Sequence, residues 1–255
     1  MINESANQGA DGEFELSIVV PALDEEENVG PLVEEVFRHV LGGGIAAELI
    51  VIDDGSTDGT LGRLRALQET YDWLVVLHRD EPRGQSAAMG AGIARARGKY
   101  IGMLDADLQN DPADLPKMLA LLKAKGVDMV QGDRSKDRQD HWVRKMSSWV
   151  GRTARRVVLG DRIRDTGCSA RVVKAVYAKQ FPLSYKGMHR FMPAYAKLLG
   201  ARVIEMDAHH RQRVAGEAKY GVGNRALVGL IDCFAVRWMS KRLRDTATVE
   251  ITKES

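Results

Sequence analysis

Five short β-rich runs alternate with helix-like segments along this chain, and that alternation limits the fold more than any other feature. The runs are "LSIVV" (16 to 20), "ELIVI" (48 to 52), "WLVVLH" (73 to 78), "KYIGML" (99 to 104) and "VDMVQG" (127 to 132). Between them lie amphipathic stretches near 28 to 41, 60 to 70, 85 to 96 and 113 to 125. Continuous apolar runs separated by helices predict an α/β fold, a mostly parallel sheet covered on both faces. In such sheets ligands bind outside the carboxyl ends of the strands, so the acids that follow these runs converge on one crevice. With no internal repeat and no low-complexity linker, the reading is one domain over 15 to 224. A disordered tail at 1 to 14 precedes it, and an amphipathic helix at 225 to 244 and a polar tail at 245 to 255 follow.

Composition excludes several classes. With 44% apolar and 28% charged residues over 255 positions, the chain can bury one sizeable core. A formal charge of +2 leaves attraction to anions to local clusters, and no nucleic-acid partner is expected. Cys168 and Cys233 lie far apart without CxxC spacing, which fits a reducing compartment and argues against a zinc site or a disulfide framework. The acidic start "MINESANQGADGEFE" has none of the basic and apolar regions of a signal peptide. No run of about 18 apolar residues occurs, so no bilayer-spanning segment is expected.

The loops after the strands carry the chemistry. The first reads "PALDEEEN", where four acids, Asp24 to Glu27, stand in place of a glycine-rich turn and would repel a dinucleotide's pyrophosphate. After the second strand comes "DDGSTDGT", in which Asp53 and Asp54 can accept hydrogen bonds from a ribose or a base edge. A capping turn, with Asp58 at the next helix, is the plainer alternative. After the fourth strand, "DADLQNDP" sets Asp105 and Asp107 side by side with no lysine run to neutralise them. Such oxygen donors suit Mg2+ or Mn2+ that also binds phosphate, and in an extended segment Asp107 and Gln109 would face one ion together.

Taken in order, "IVVPALDEEEN", "IVIDDGSTDGT", "RGQSAAMGAGIARARGKYIGMLDADLQNDP" and "RVAGEAKYG" resemble the family-two glycosyltransferases of the GT-A fold. The likeness is greatest to the polyprenyl-phosphate glycosyltransferases of the dolichol-phosphate mannose synthase type and covers about 15 to 222. What the resemblance implies is an inverting transfer from a nucleoside-diphosphate sugar to a lipid phosphate. It places Pro21, Asp24 and Glu25 at the nucleotide pocket, with Asp53 at the base or ribose and Asp54 beside it. Asp105 would meet the ribose and donor sugar, and Asp107 and Gln109 would hold Mg2+ or Mn2+. Arg134 resembles an acceptor-side arginine, and Arg213 and Lys219 a loop that closes over the donor phosphates; Asp105, Asp107, Arg134 and Arg213 are thus the catalytic candidates. "DTGCSARVV" (165 to 173) resembles a "TSGFR" signature, departing at Cys168, and makes Asp165 a candidate for orienting the acceptor; a helix cap before Ala170 is the alternative. A phosphate monoester with a second pKa of about 6 is already an anion at neutral pH, so neither His209 nor His210 is expected to act as a base.

A lipid acceptor requires membrane access. Residues 141 to 158 place Trp142, Met146, Trp149, Val150 and Val157 on one helical stripe, among Arg144, Lys145, Arg152, Arg155 and Arg156. "RALVGLIDCFAVRWMSKRL" (225 to 243) is apolar over much of its surface and basic at both ends. Both suit a helix lying on an anionic membrane surface, which predicts a peripheral protein at the cytoplasmic face. Core-packing helices with solvated charges are the alternative for both segments, and docking against a separate membrane protein is another for the second, since many of the family append transmembrane helices. A soluble transferase acting on a saccharide or protein, and a non-catalytic nucleotide-sugar sensor, are the rival functions.

Overall fold

The computed structural model describes residues 14–135, 153, 155–211 and 225–243. Its strands are β1 (Leu16–Ala22), β2 (Ala47–Asp53), β3 (Leu74–His78), β4 (Tyr100–Met103), β5 (Met129–Asp133), β6 (Arg171–Lys174) and β7 (Val203–Asp207). Its helices are α1 (Glu26–Val36), continued by a π-turn at Phe37–Leu41, α2 (Thr60–Gln68), α3 (Gln85–Arg95), α4 (Asp114–Lys125), α5 (155–159), α6 (Ala175–Ala178), α7 (Met192–Leu198) and α8 (Arg225–Arg242). A 3-10 turn, Met188–Phe191, leads into α7. All five strand runs and all four helical stretches expected up to β5 are present.

The seven strands form one sheet in the order β3-β2-β1-β4-β6-β5-β7. Side-chain alternation explains why helices cover both faces. Ile18, Val20, Leu49 and Val51 belong to a core shared with α1, α2 and α4, whereas Val19, Ile50 and Ile52 join one shared with α3, α7 and α8. At α3 the approach is close: a Cβ on Gly92 would lie 2.5 Å from Val19 Cγ1 and 2.6 Å from Ile52 Cδ1. Pro21 is tolerated in a central strand because the β1–β4 pairing ends at Val19↔Met103, so its missing N–H opens no ladder bond on that side.

Two strands lie beyond the five expected runs. Segment 171–174 is a strand rather than a capped helix, and it runs antiparallel to both β4 and β5, so the sheet is mixed. β7 pairs parallel with β5 at the edge. The topology still sets a ligand crevice. From β1 the chain builds outward to β2 and β3 on one side and to β4 on the other, which opens a switch point at the carboxyl ends of β1 and β4. Because β6 runs the opposite way, the residues that lead into it, Asp165 to Ala170, arrive at that same end. α8 buries Cys233 and Val236 in the second core, and both cysteines are free and buried.

Candidate active site

The loops after β1 and β2 are laced together. Asp24 adopts a left-handed backbone (φ 48), which a short polar side chain tolerates, and its carboxylate accepts the Thr57 N–H at 2.7 Å. Its own N–H donates to Ser56 Oγ (2.8 Å), the Glu25 N–H donates to Thr60 Oγ1 (2.8 Å), and Glu26 accepts the Gly59 N–H (3.0 Å). Asp58 also binds the first turn of α2, accepting the Thr60 N–H at 3.0 Å. Pro21 lies at the carboxyl end of β1 just before this loop.

Both carboxylates that end β2 are held by protein donors. Asp53, fully buried, accepts the Ser56 N–H (3.2 Å) on Oδ1 and lies 2.7 Å from His78 Nδ1 through Oδ2. Asp54 accepts Arg79 Nη1 (3.1 Å) and the N–H groups of Arg83 (3.1 Å) and Gly84 (2.6 Å). Gly55 (φ 82) makes the turn that follows them, where a Cβ would lie 2.8 Å from the Pro82 nitrogen. Reading the sequence had not assigned His78 or Arg79; their place at and just after the end of β3, next to β2, is what brings them in.

Across the switch point lies the turn from Asp105 to Gln109. Gln85 Nε2 donates to Asp105 Oδ1 at 2.7 Å, and Ser169 Oγ donates to Oδ2. Burial, and then the neighbouring Asp107, push the Asp105 carboxyl above its ordinary range. Asp107 is 8% exposed and accepts the Gln109 N–H at 3.2 Å. The segment is not extended: Leu108 between them takes φ 58, a costly conformation for a bulky residue, which folds Asp107 back over the Gln109 backbone.

The approach to the basic loop is pinned to this turn. The Arg211 N–H donates to the Gln109 carbonyl (2.9 Å), while its guanidinium binds Glu35 (2.7 and 2.8 Å) and Asp111 (2.9 Å). Residues 110 and 210 form a β-bridge, and His209 is fixed to the buried Asp114 at 2.9 Å. Arg213 and Lys219 themselves lie outside the described residues.

Arg134 and Asp165 meet directly. Nε and Nη2 of Arg134 donate to the two oxygens of Asp165 at 2.8 and 3.2 Å, with both side chains largely buried. Burial works against the guanidinium's charge, but the bonded carboxylate outweighs it and raises the arginine's pKa, with Asp105 close enough to add to the effect. Cys168, in the same loop, has its thiol pushed up to about 11 by burial, so it is a neutral core residue rather than a nucleophile. Asp105, Asp107, Gln109, Arg134 and Asp165 therefore gather at one end of the sheet, with the laced loops forming the other wall.

The family model "Glycosyl transferase family 2" matches residues 17–181, which takes in β1 from its second residue, β2 to β6 and the acids of this crevice. The chain belongs to that family. It is 37% identical over 231 residues to the dodecaprenyl-phosphate galacturonate synthase of Rhizobium johnstonii, covering 89% of this chain and 68% of that protein. It is 31% identical over 208 residues to the undecaprenyl-phosphate 4-deoxy-4-formamido-L-arabinose transferase of Proteus mirabilis, covering 80% of this chain and 62% of that one. The chain thus spans about two thirds of the length of these family members. Its fold matches glucosyl-3-phosphoglycerate synthase of Mycobacterium tuberculosis, solved with Mn2+, uridine diphosphate and glucosyl-3-phosphoglycerate. The TM-score there is 0.63 at 20% identity, over 95% of this chain and 84% of the other. The protein is a family-two glycosyltransferase of GT-A fold, as the sequence motifs implied.

Proposed function

We propose that this enzyme transfers a sugar from a nucleoside-diphosphate sugar to a polyprenyl phosphate at a membrane surface. The observation that carries the reading is the placement of the Asp105–Gln109 turn and the Arg134–Asp165 pair at one end of the sheet, in a chain akin to two polyprenyl-phosphate transferases. The donor lies between the laced loops, lined by Pro21, Asp24 and Glu25 with Asp53 and Asp54 behind them, and the Asp105 turn.

Asp107 and Gln109 would hold a divalent cation. Their all-oxygen donor set suits Mg2+ or Mn2+, whose shell diphosphate oxygens and water would complete. When bound, the ion stabilises the charge that grows on the departing nucleoside diphosphate. Arg134, oriented by Asp165, offers its guanidinium to the acceptor phosphate; Nη1 makes no hydrogen bond among the described residues. Arg213 and Lys219 would close on the donor phosphates. Because the acceptor is already anionic, positioning rather than a general base supplies the catalysis.

The membrane surface enters through α8. Ile231, Phe234 and Trp238, at spacings of three and four, are 58 to 60% exposed, and Arg237, Lys241 and Arg242 accompany them. Arg242 caps the Trp238 ring at 5.4 Å. This is the composition of an interfacial helix on anionic lipid. No helix among the described residues is long and apolar enough to cross a membrane. The first stripe expected, carrying Trp142, Met146, Trp149 and Val150 with Arg144, Lys145 and Arg152, lies outside the described residues, although Val157 at its end is exposed. The test offers UDP-galacturonate, UDP-glucose and GDP-mannose with undecaprenyl phosphate in vesicles, beside a water-soluble saccharide. A sugar on the saccharide alone would replace this reading with the soluble transferase.

A further inference from the structure

The Asp105 carboxylate is one corner of a ring of residues closed by hydrogen bonds and by the chain link from Gln85 to Ser86. Gln85 holds one of its oxygens at 2.7 Å and Ser169 holds the other. Beside Gln85 on α3, the Ser86 hydroxyl lies 2.8 Å from His189 Nδ1 and accepts the His189 N–H at 3.3 Å. The His189 carbonyl in turn accepts Arg171 Nη1 at 3.1 Å. Arg171 completes the circuit, its Nε donating to the Ser169 carbonyl (3.2 Å) and its Nη2 to the Cys168 carbonyl.

Arg171 is 2% exposed, although it sits in the middle of a seven-stranded sheet. A guanidinium buried there is costly, and its bonded partners are three backbone carbonyls rather than a carboxylate. The planar fork reaches the three carbonyls through three separate nitrogens, Nε, Nη1 and Nη2, whereas a lysine would have to meet all three from a single nitrogen. What the arginine achieves is local. It fixes the Cys168–Ser169 backbone and the 188–191 turn relative to each other, and these two segments carry the groups that reach Asp105 from opposite sides, Ser169 directly and His189 through Ser86 and Gln85.

We propose that Arg171, Ser169 and Gln85 are positioning residues for sugar transfer, holding the Asp105 carboxylate in the one orientation that meets the donor. The proposal rests on the reading of Asp105 as the residue facing the donor sugar. A carboxylate held on both oxygens does not have to be ordered as the reaction proceeds, which is the gain that preorganised groups bring.

The test is Ser169→Ala, with Ser169→Thr as the conservative rescue and Arg171→Lys as the variant that keeps charge but loses the fork. Assays use undecaprenyl phosphate and whichever of UDP-galacturonate, UDP-glucose and GDP-mannose the wild type turns over. Ser169→Ala should lower kcat about ten- to a hundredfold, as expected for losing a hydrogen bond to a charged group. Donor KM should stay within about twofold, Tm should hold, and Ser169→Thr should recover most of the rate. Arg171→Lys should lower kcat in the same direction. Crystal structures of the wild type and Ser169→Ala should show Asp105 in one rotamer in the first and displaced from Gln85 in the second. Wild-type kcat with an unmoved Asp105 overturns the proposal, as does a parallel fall in Tm, kcat and donor affinity without rescue by threonine. A wild type that transfers nothing to polyprenyl phosphate removes the acceptor reading, and the two crystal structures then decide the ring by themselves.

Discussion

Asp165 grips Arg134 with both carboxylate oxygens, at 2.8 and 3.2 Å, in a site where each side chain is about one tenth exposed. The aspartate expected to orient the acceptor therefore touches the arginine expected to bind it. On the proposed function Asp165 would act on the acceptor through Arg134, and the two residues should behave as one unit.

Removing one partner leaves a buried charge alone. Asp165→Ala should cost about 3 to 5 kcal/mol of stability in chemical denaturation, and the double variant with Arg134→Met should cost less than the sum of the single ones. Arg134→Met should raise the apparent KM for polyprenyl phosphate severalfold while donor KM holds. An equal rise in both would contradict the assignment of this pair to the acceptor.

His189 gives the protein a pH dependence. Burial first, then Arg190 and Arg171, lower its pKa from 6.5 to about 3 in the folded state. Between those values the unfolded chain binds a proton that the folded one does not, so stability rises with pH across this window and is lost as pH falls below 6.5. The contribution reaches at most about 1.4 kcal/mol per pH unit. Denaturation at pH 6.5 and 5 should show a slope that His189→Gln flattens; an unchanged slope would mean that the ring is protonated without penalty.

The proposed function centres metal dependence on Asp107. Asp107→Ala should remove the charged ligand and reduce turnover by orders of magnitude, whereas binding of the free nucleotide should fall less because the loops after β1 and β2 remain. Excess chelator should reproduce the loss in the wild type, and added Mg2+ or Mn2+ should reverse it. Turnover that survives chelation counts against the assignment of Asp107 and Gln109.

Much of this architecture is legible in the sequence, for a physical reason. β1, β2, β4 and β5 are buried on both faces, so they read as unbroken apolar runs, and the acids that end them mark the crevice. β6 was missed because it has four residues and begins with Arg171, a residue type that rarely enters a sheet interior. β7 is half-buried at an edge and gives a weak pattern. The supports of Asp105 were also out of reach: Gln85 is 20 residues away and Ser169 is 64, while Ser86 and His189 are 103 apart. Only the fold brings them together. The left-handed Leu108 was likewise hidden, because nothing in "DADLQ" requires a turn and the extended reading was the default.

The outer face of α8 should carry membrane binding. A Phe234→Glu, Trp238→Glu variant replaces two exposed aromatics whose burial in lipid is worth about 1.5 to 3 kcal/mol each, so vesicle binding should fall at least tenfold. Raising salt should weaken the wild type through loss of the Arg237, Lys241 and Arg242 attraction. Binding to anionic vesicles that neither change reduces would assign this face to another role.

Mass spectrometry of the lipid fraction tests the proposed acceptor most directly. The purified protein is incubated with a nucleoside-diphosphate sugar, Mg2+ or Mn2+ and undecaprenyl phosphate in anionic vesicles. The account predicts a polyprenyl phosphate heavier by one sugar, formed by the wild type and absent in excess chelator. A lipid fraction that gains no sugar from any donor, while a water-soluble saccharide in the same mixture does, would contradict it.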